Sequence, residues 1–412
     1  MRILLLNQCF HPDVVATAQH LTHLAIELKT RGHEVTVIAA DRGYDDPATR
    51  FARRERWNGI DIIRIPTLSL GKRSRWRRAV NFASFLFFCS LRLLVLRRFD
   101  LVVALTSPPL ISFLAALFVR LKGGRFCFWV MDLNPDEAIA AGWLKEHSLT
   151  ARLLKKLLKY SLQYASRTIV LDRFMKERVA AKGVDATRVS VISPWSHDDT
   201  VSYSETGREA FRRKHELAKK FVVMYSGNHS RCHPLDTLLE AALALETHSE
   251  IVFCFIGGGS EQVRVREFAS RHTLNNIKCL PYQATNELSA SLSAADLHVV
   301  VMGEEFVGIV HPCKVYNIIA IGSPLLYIGP ERSHVTEIAY APGRFLCARH
   351  GDVEAVKTEI LQIQSAPRAL FPDVSFSKKK LLSELADLIE VQMDVRDFSG
   401  LAEKVQVKTA GG

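Results

Sequence analysis

The sequence predicts an α/β protein of two consecutive Rossmann-like domains facing each other across a cleft. Three observations carry that expectation. Apolar, strand-like runs alternate with helical patterns along the chain, as in largely parallel sheets covered by helices. The 412 residues suit two domains at roughly 100–200 residues each. Near the middle, the polar stretch Ser193–Gly207 holds Pro194 and Trp195 but no long apolar run, and reads as a linker. The domains are expected at residues 1–195 and 208–376, with a final helix over 377–396.

The elements follow in order. Arg2–Asn7 is a buried-strand run, and Leu21, Leu24, Ala25 and Leu28 give a helix over Thr17–Thr30. Gly32 stops that helix and Glu34–Ala40 is the next strand, which completes a right-handed βαβ opening. Further strands are expected at Ile60–Ile65, Leu101–Leu105, Gly124–Met131, Thr168–Leu171 and Val189–Ile192, and an amphipathic helix at Leu149–Tyr164. The second series has strands at Phe221–Ser226, Ile251–Ile256, Ile277–Leu280, Leu297–Val301 and Pro324–Ile328. Helices are expected between them, notably Lys314–Ile321, then Val353–Gln364 and the amphipathic Ser377–Gln392. Ligands bind at the carboxyl ends of such strands, so the cleft between the two domains is the expected site.

Composition narrows the class. With 48% hydrophobic and 24% charged residues the chain is an ordinary globular one. None of the eight cysteines forms a CxxC pair, and several lie in apolar runs, which predicts reduced core thiols and a cytoplasmic protein. Met1–Leu6 enters directly into a strand pattern, so no signal peptide is expected. The net charge of +11 is unevenly spread. From Ile62 to Phe99 there is no acidic residue, whereas Arg64, Lys72, Arg73, Arg75, Arg77, Arg78, Arg92, Arg97 and Arg98 are basic. Between these clusters runs apolar Ala79–Leu91, shorter than the ~20 residues that span a bilayer. Segment 72–98 therefore reads as an interfacial helix on the anionic inner face of the cell membrane, against the alternative of a buried helix with solvated arginines. No nucleic-acid-binding signature is present, and the charge sits beside an aromatic run rather than along a groove pattern.

Four constellations carry chemistry, three of them in the second domain. Tyr225–His233 follows the first strand of the second domain; Gly227 permits close backbone approach, and Asn228, His229 and Arg231 suit a diphosphate at a helix N-terminus. Gly257 and Gly258, after Ile251–Ile256, would border a nucleotide. The strongest is His311–Pro324. Pro312 opens a helix, Lys314 at its start attracts phosphate, and Asn317, three residues on, shares its face and can hold a ribose; Tyr316 belongs to the same segment. In the first domain, Trp129–Glu137 puts Asp132 at a strand end, where it would orient an acceptor hydroxyl; Asp136 and Glu137 read equally as solvated acids. No HExxH, CxxC or Asp-x-Asp pattern supports a metal, and the loop after the first strand is not GxGxxG. Lys314, Arg231 and helix dipoles can stabilise a leaving diphosphate without a cation, so no cofactor is expected.

In their order, "RGHEVTVIA", "WVMDLNPDEAIAAG", "VSVISPW", "VVMYSGNHS", "FIGGG" and "PCKVYNIIAIGSP" resemble the family 4 glycosyltransferases of bacterial polysaccharide synthesis, in particular the fucosamine and colanic-acid type. The resemblance implies a GT-B fold, an N-terminal acceptor domain, nucleotide binding mainly by the C-terminal domain, retention of anomeric configuration, and a final helix crossing back to the first domain. The substrates it implies are a nucleotide-sugar, of UDP type, and a polyprenyl-diphosphate-linked glycan. The family has two glutamates separated by seven residues around this helix. Here Asn317 takes the second place and Ile309 the first, with Glu304 and Glu305 a few residues early. Which of these two replaces the missing glutamate stays open. Two rival readings are a nucleotide-sugar 2-epimerase of the same shape and a catalytically degenerate membrane scaffold.

Overall fold

The computed structural model describes residues 1–44, 46–71, 75–197, 199–338, 345–370 and 372–391. The chain forms two compact units, one of Met1–Ser193 joined by the segment from Lys379, the other of Pro194–Lys378.

The first unit is built on an eight-stranded sheet. Its strands are β1 (Arg2–Leu6), β2 (Glu34–Ala40), β3 (Arg54–Trp57), β4 (Ile60–Ile65), β5 (Leu101–Ala104), β6 (Arg125–Trp129), β7 (Arg167–Val170) and β8 (Val189–Val191). Their spatial order is β3-β4-β2-β1-β5-β6-β7-β8. All neighbours are parallel except the β3–β4 edge pair. Ile3, Leu4, Leu5 and Leu6 are fully buried, as a central parallel strand covered on both faces requires. The order turns at β1, with β2 on one side and β5 on the other, which makes the strand ends there the switch point of the sheet.

The helix Arg75–Val95 covers part of this unit and is apolar on both sides. Phe85, Cys89 and Leu93, four residues apart, form the buried face, whereas Trp76, Phe87, Leu91 and Leu94 are exposed. The expected segment 72–98 thus has its helix within it, and residues 72–74 lie outside the described residues. Its alternative reading, a helix of the domain layer, holds for the inner face only. By length and hydropathy the stretch Trp76–Val95 could cross a membrane. A helix over 378–391 returns to the first unit from Lys379 onward. Leu385, Ala386 and Ile389 are fully buried, and Arg31 bonds Asp387 at 2.5 Å, Glu390 at 2.8 Å and Ser383 Oγ at 2.9 Å.

The second unit carries a six-stranded, all-parallel sheet of β9 (Phe221–Asn228), β10 (Ile251–Gly258), β11 (Ile277–Leu280), β12 (Leu297–Val301), β13 (Leu325–Ile328) and β14 (Phe345–Ala348), ordered β11-β10-β9-β12-β13-β14. One face packs Leu238, Leu239, Phe253, Val299 and Ile360 into a single core. The expected linker is part of this unit. Trp195 is buried, and Ser204 caps a helix over Glu205–Lys214. From that helix Arg208 and Arg212 both reach Asp296, whose carboxylate also accepts the Val222 N–H at 2.7 Å. Polar residues of the stretch read as a linker bond within the same unit: Ser204 Oγ accepts the Gly207 N–H at 3.0 Å and Ser196 Oγ donates to the Phe376 carbonyl at 3.0 Å. All eight cysteines are free, five of them buried.

Candidate functional site

The site begins with two glycines. β9 and β10 run in register, Gly227 opposite Gly257 and Gly258 opposite Asn228. Gly257 has φ +134°, and a Cβ there would stand 2.0 Å from the Gly227 carbonyl oxygen. Gly257 therefore serves the close approach of the two strand ends. Gly227 has φ +132°, and a Cβ on it would meet Lys314 Cε at 3.1 Å and Nζ at 3.2 Å. The bare backbone at 227 is what leaves the lysine its place.

Lys314 is the first residue of the helix Lys314–Ile321, whose cap at Cys313 makes no side-chain bond. The free N–H groups of that first turn give it a positive end. The Lys314 ammonium lies 3.6 Å from the centre of the Tyr225 ring. It is sealed from solvent and has no hydrogen-bond partner. Desolvation lowers its pKa from the usual lysine range to about 7. His229 is fully buried with both ring nitrogens unpartnered. Burial first, and the Lys314 charge second, lower its pKa to about 4. His233 binds the Val301 carbonyl oxygen through Nδ1 at 2.7 Å and is lowered to about 3 by burial and then by Lys314. Both imidazoles are neutral at pH 7, so His229 offers a diphosphate an N–H donor and not a charge.

The Lys314 side chain is one wall of an open pocket, which Ser226, Gly227, Tyr282, Asn317 and Leu292 also line. Asn317 Oδ1 accepts the His197 backbone N–H at 2.9 Å, which orients its NH₂ group. Of the residues expected from sequence, the structure thus brings together Gly227, Lys314 and Asn317. The others stand apart from the lining. Arg231 is exposed, as is Asn228, whose carbonyl accepts the Tyr225 hydroxyl at 2.8 Å. Gly258 abuts the Tyr282 ring. Pro312 precedes the helix cap, its carbonyl accepting the Val315 N–H at 3.3 Å. Tyr316 is buried, its hydroxyl 2.6 Å from His311 Nε2 and its ring against Phe376. Tyr282 was missed by the sequence reading; an aromatic residue two positions after the end of β11, on a strand end of the same sheet, was the available signal.

In the first unit, Asp132 follows β6. Burial, and then the neighbouring Glu137, push its pKa well above the carboxylate range. Glu137 is itself raised by burial, and accepts the Asn134 side-chain N–H at 3.0 Å. Asp136 pairs with Lys182 at 2.6 Å and is a structural ion pair, not a solvated acid. A protonated Asp132 can donate a hydrogen bond to a hydroxyl oxygen but cannot act as a base.

A model of the glycosyl transferase 4-like domain matches residues 16–195, and one of glycosyl transferases group 1 matches residues 207–367. Over 382 residues the chain is 24% identical to the colanic acid biosynthesis glycosyl transferase WcaI of Escherichia coli (strain K12), covering 89% of this chain and 93% of that one. Among solved structures it is similar to sucrose-phosphate synthase from Thermosynechococcus elongatus, with TM-score 0.69, 13% identity and coverage of 95% and 98% of the two chains. It is also similar to HepE of Anabaena in complex with UDP-glucose, with TM-score 0.64, 16% identity and coverage of 99% and 100%. With the two domain models matching in order along the chain, and two parallel-sheet α/β units beneath them, the protein belongs to family 4 of the GT-B glycosyltransferases.

Proposed function

We propose that this glycosyltransferase moves a hexose-type sugar, with retention, from a UDP-sugar to a polyprenyl-diphosphate-linked glycan in bacterial polysaccharide synthesis. The observation that carries the proposal is the sealed, unpartnered Lys314 ammonium at the glycine ends of β9 and β10. A buried cation without a counter-ion is costly, and a diphosphate oxygen beside it removes that cost. The start of the helix Lys314–Ile321 adds a partial positive charge. In this reading they neutralise the leaving diphosphate in place of a metal ion. Asn317 holds the ribose with its free NH₂ group. Asp132 orients the acceptor hydroxyl, whose proton leaves with the departing phosphate oxygen. The UDP-glucose complex of HepE and the name of WcaI support the donor class and the pathway.

The same proposal places the protein on the cytoplasmic face of the inner membrane. The exposed Trp76, Phe87, Leu91 and Leu94 would enter the lipid boundary, with Arg77, Arg92, Arg97 and Arg98 set among anionic headgroups.

A donor screen that follows nucleoside diphosphate release, with and without prenyl-linked acceptors, tests the reaction. Release from a UDP-sugar in the presence of acceptor is expected, and Lys314→Ala should slow it at least about thirtyfold, about 2 kcal/mol of transition-state stabilisation. Near-normal turnover by that variant would remove Lys314 from the chemistry. Epimerised sugar formed without acceptor would move the protein to the epimerase class.

A further inference from the structure

The pocket that Lys314 and Asn317 line extends past the groups assigned to diphosphate and ribose. Tyr282 and Gln283 line it too, on the loop that follows β11. In the sheet β11 lies two strands from β9, at whose end Gly227 makes room for Lys314. At about 4.8 Å per strand the two ends are roughly 10 Å apart, comparable to the reach of a nucleotide from its phosphates across the ribose to its base.

The Tyr282 side chain is 58% exposed. A Cβ on Gly258 would stand 3.0 Å from its Cε2, so the ring rests on backbone that a glycine leaves bare. Its hydroxyl donates to the Gly258 carbonyl oxygen at 3.4 Å. Ile256, Leu288, Leu292 and Ile318 give the pocket its apolar side. Aromatic and aliphatic surfaces of this kind take the flat face that every base presents.

Gln283 adds the selective group. Its Nε2 donates to the Pro281 carbonyl oxygen at 2.7 Å. That bond sets the orientation of the amide, commits one of its N–H groups to the chain and leaves Oε1 as an acceptor. An acceptor held in place calls for a donor on the base edge. Uracil and thymine carry N3–H and guanine N1–H, whereas cytosine N3 and adenine N1 are acceptors and repel it. The second N–H of the amide matches the carbonyl beside the ring N–H in each of the first three bases. We infer that Tyr282 stacks on the nucleobase of the donor and that Gln283 selects a base with a ring N–H. The inference rests on the nucleotide donor proposed above, and adds the residues that read its base.

Calorimetric titration of the full chain with UDP, GDP, CDP and ADP tests it. UDP should bind about tenfold or more tightly than CDP, the discrimination typical of an amide matched to a base edge. Gln283→Leu should bring that ratio close to one, whereas Gln283→Glu, which keeps an acceptor, should preserve the preference. Tyr282→Ala should weaken UDP and CDP alike, about tenfold, and Tyr282→Phe should weaken neither. Melting temperatures near that of the native chain show that the variants are folded. A UDP-to-CDP ratio unmoved by Gln283→Leu, UDP affinity unmoved by Tyr282→Ala, or a native chain that binds CDP as tightly as UDP would overturn the assignment. A preference for GDP that Gln283→Leu removes would instead sink the UDP reading and leave this one standing. A chain that binds none of the four would end both.

Discussion

Lys314 has no counter-ion beside it among the described residues. The groups around it are the Tyr225 ring and the neutral His229 and His233, and none is an anion. Its folded pKa of about 7 lies below the ordinary lysine value of 10.5, so the sign of the linkage is fixed. The cost of the buried charge is fully present below pH 7 and fades as pH rises toward 10.5, because the unfolded chain then binds the extra proton. Between pH 7 and 9 the empty site holds a neutral amine, and a diphosphate must bring a proton with it. UDP affinity should therefore fall as pH rises over that range, approaching tenfold per unit, and the slope should vanish in Lys314→Met. Titration in buffers of different ionisation enthalpy reads the proton directly, and a flat profile for the native chain would contradict the picture. At this scale the sequence was partly legible. Gly227, Lys314 and Asn317 could be placed because strand ends and helical spacing fix them. The neutrality of His229 and the rise in the Asp132 pKa could not, since both depend on burial by residues distant in sequence.

At the scale of elements, the paired glycine ends of β9 and β10 are the most constrained feature. Gly257→Ala would place a Cβ against the Gly227 carbonyl at a backbone angle that alanine resists. It should destabilise the protein by about 3 kcal/mol in urea unfolding, while Gly32→Ala, whose Cβ meets nothing within 4 Å, should cost about 1 kcal/mol. Equal costs would mean that the strand ends can part. The helix Arg75–Val95 divides just as sharply between its two faces. Phe87→Ser with Leu94→Ser should leave the melting temperature near that of the native chain yet remove binding to anionic vesicles, which flotation would measure; unchanged flotation would end the membrane proposal. Strands buried on both faces, such as Leu297–Val301, were legible to the residue because near-continuous apolar runs mark them, here broken by His298 alone. The edge strand Arg54–Trp57 was not, because RERW is three charged residues and one tryptophan, with no apolar run, on a half-exposed edge. Nor was the helix Glu205–Lys214, whose arginines are polar in sequence but buried on Asp296.

For the molecule as a whole, the two-unit plan was legible from the alternation of elements. The compact units divide at Ser193, two residues from the expected end of the first domain, and the polar stretch read as a linker packs with the second unit through Trp195 and the Ser204 cap. The return of the last helix came from the family resemblance, and no local pattern in 377–396 marks its destination. Arg31 fastens that helix through Asp387, Glu390 and Ser383. Arg31→Ala should raise amide hydrogen exchange over 379–391 about tenfold or more, an opening eased by about 1–2 kcal/mol, with the strands of the second unit unaffected. Equal acceleration in both units would point to global unfolding instead.

Because the first unit takes residues from both ends of the chain, its synthesis is split in time. A ribosome emits Met1–Ser193, then all of Pro194–Lys378, and only then the helix of the first unit that buries Leu385, Ala386 and Ile389. The later-made unit can finish folding while the earlier one still waits, its apolar patch bare, for its last helix.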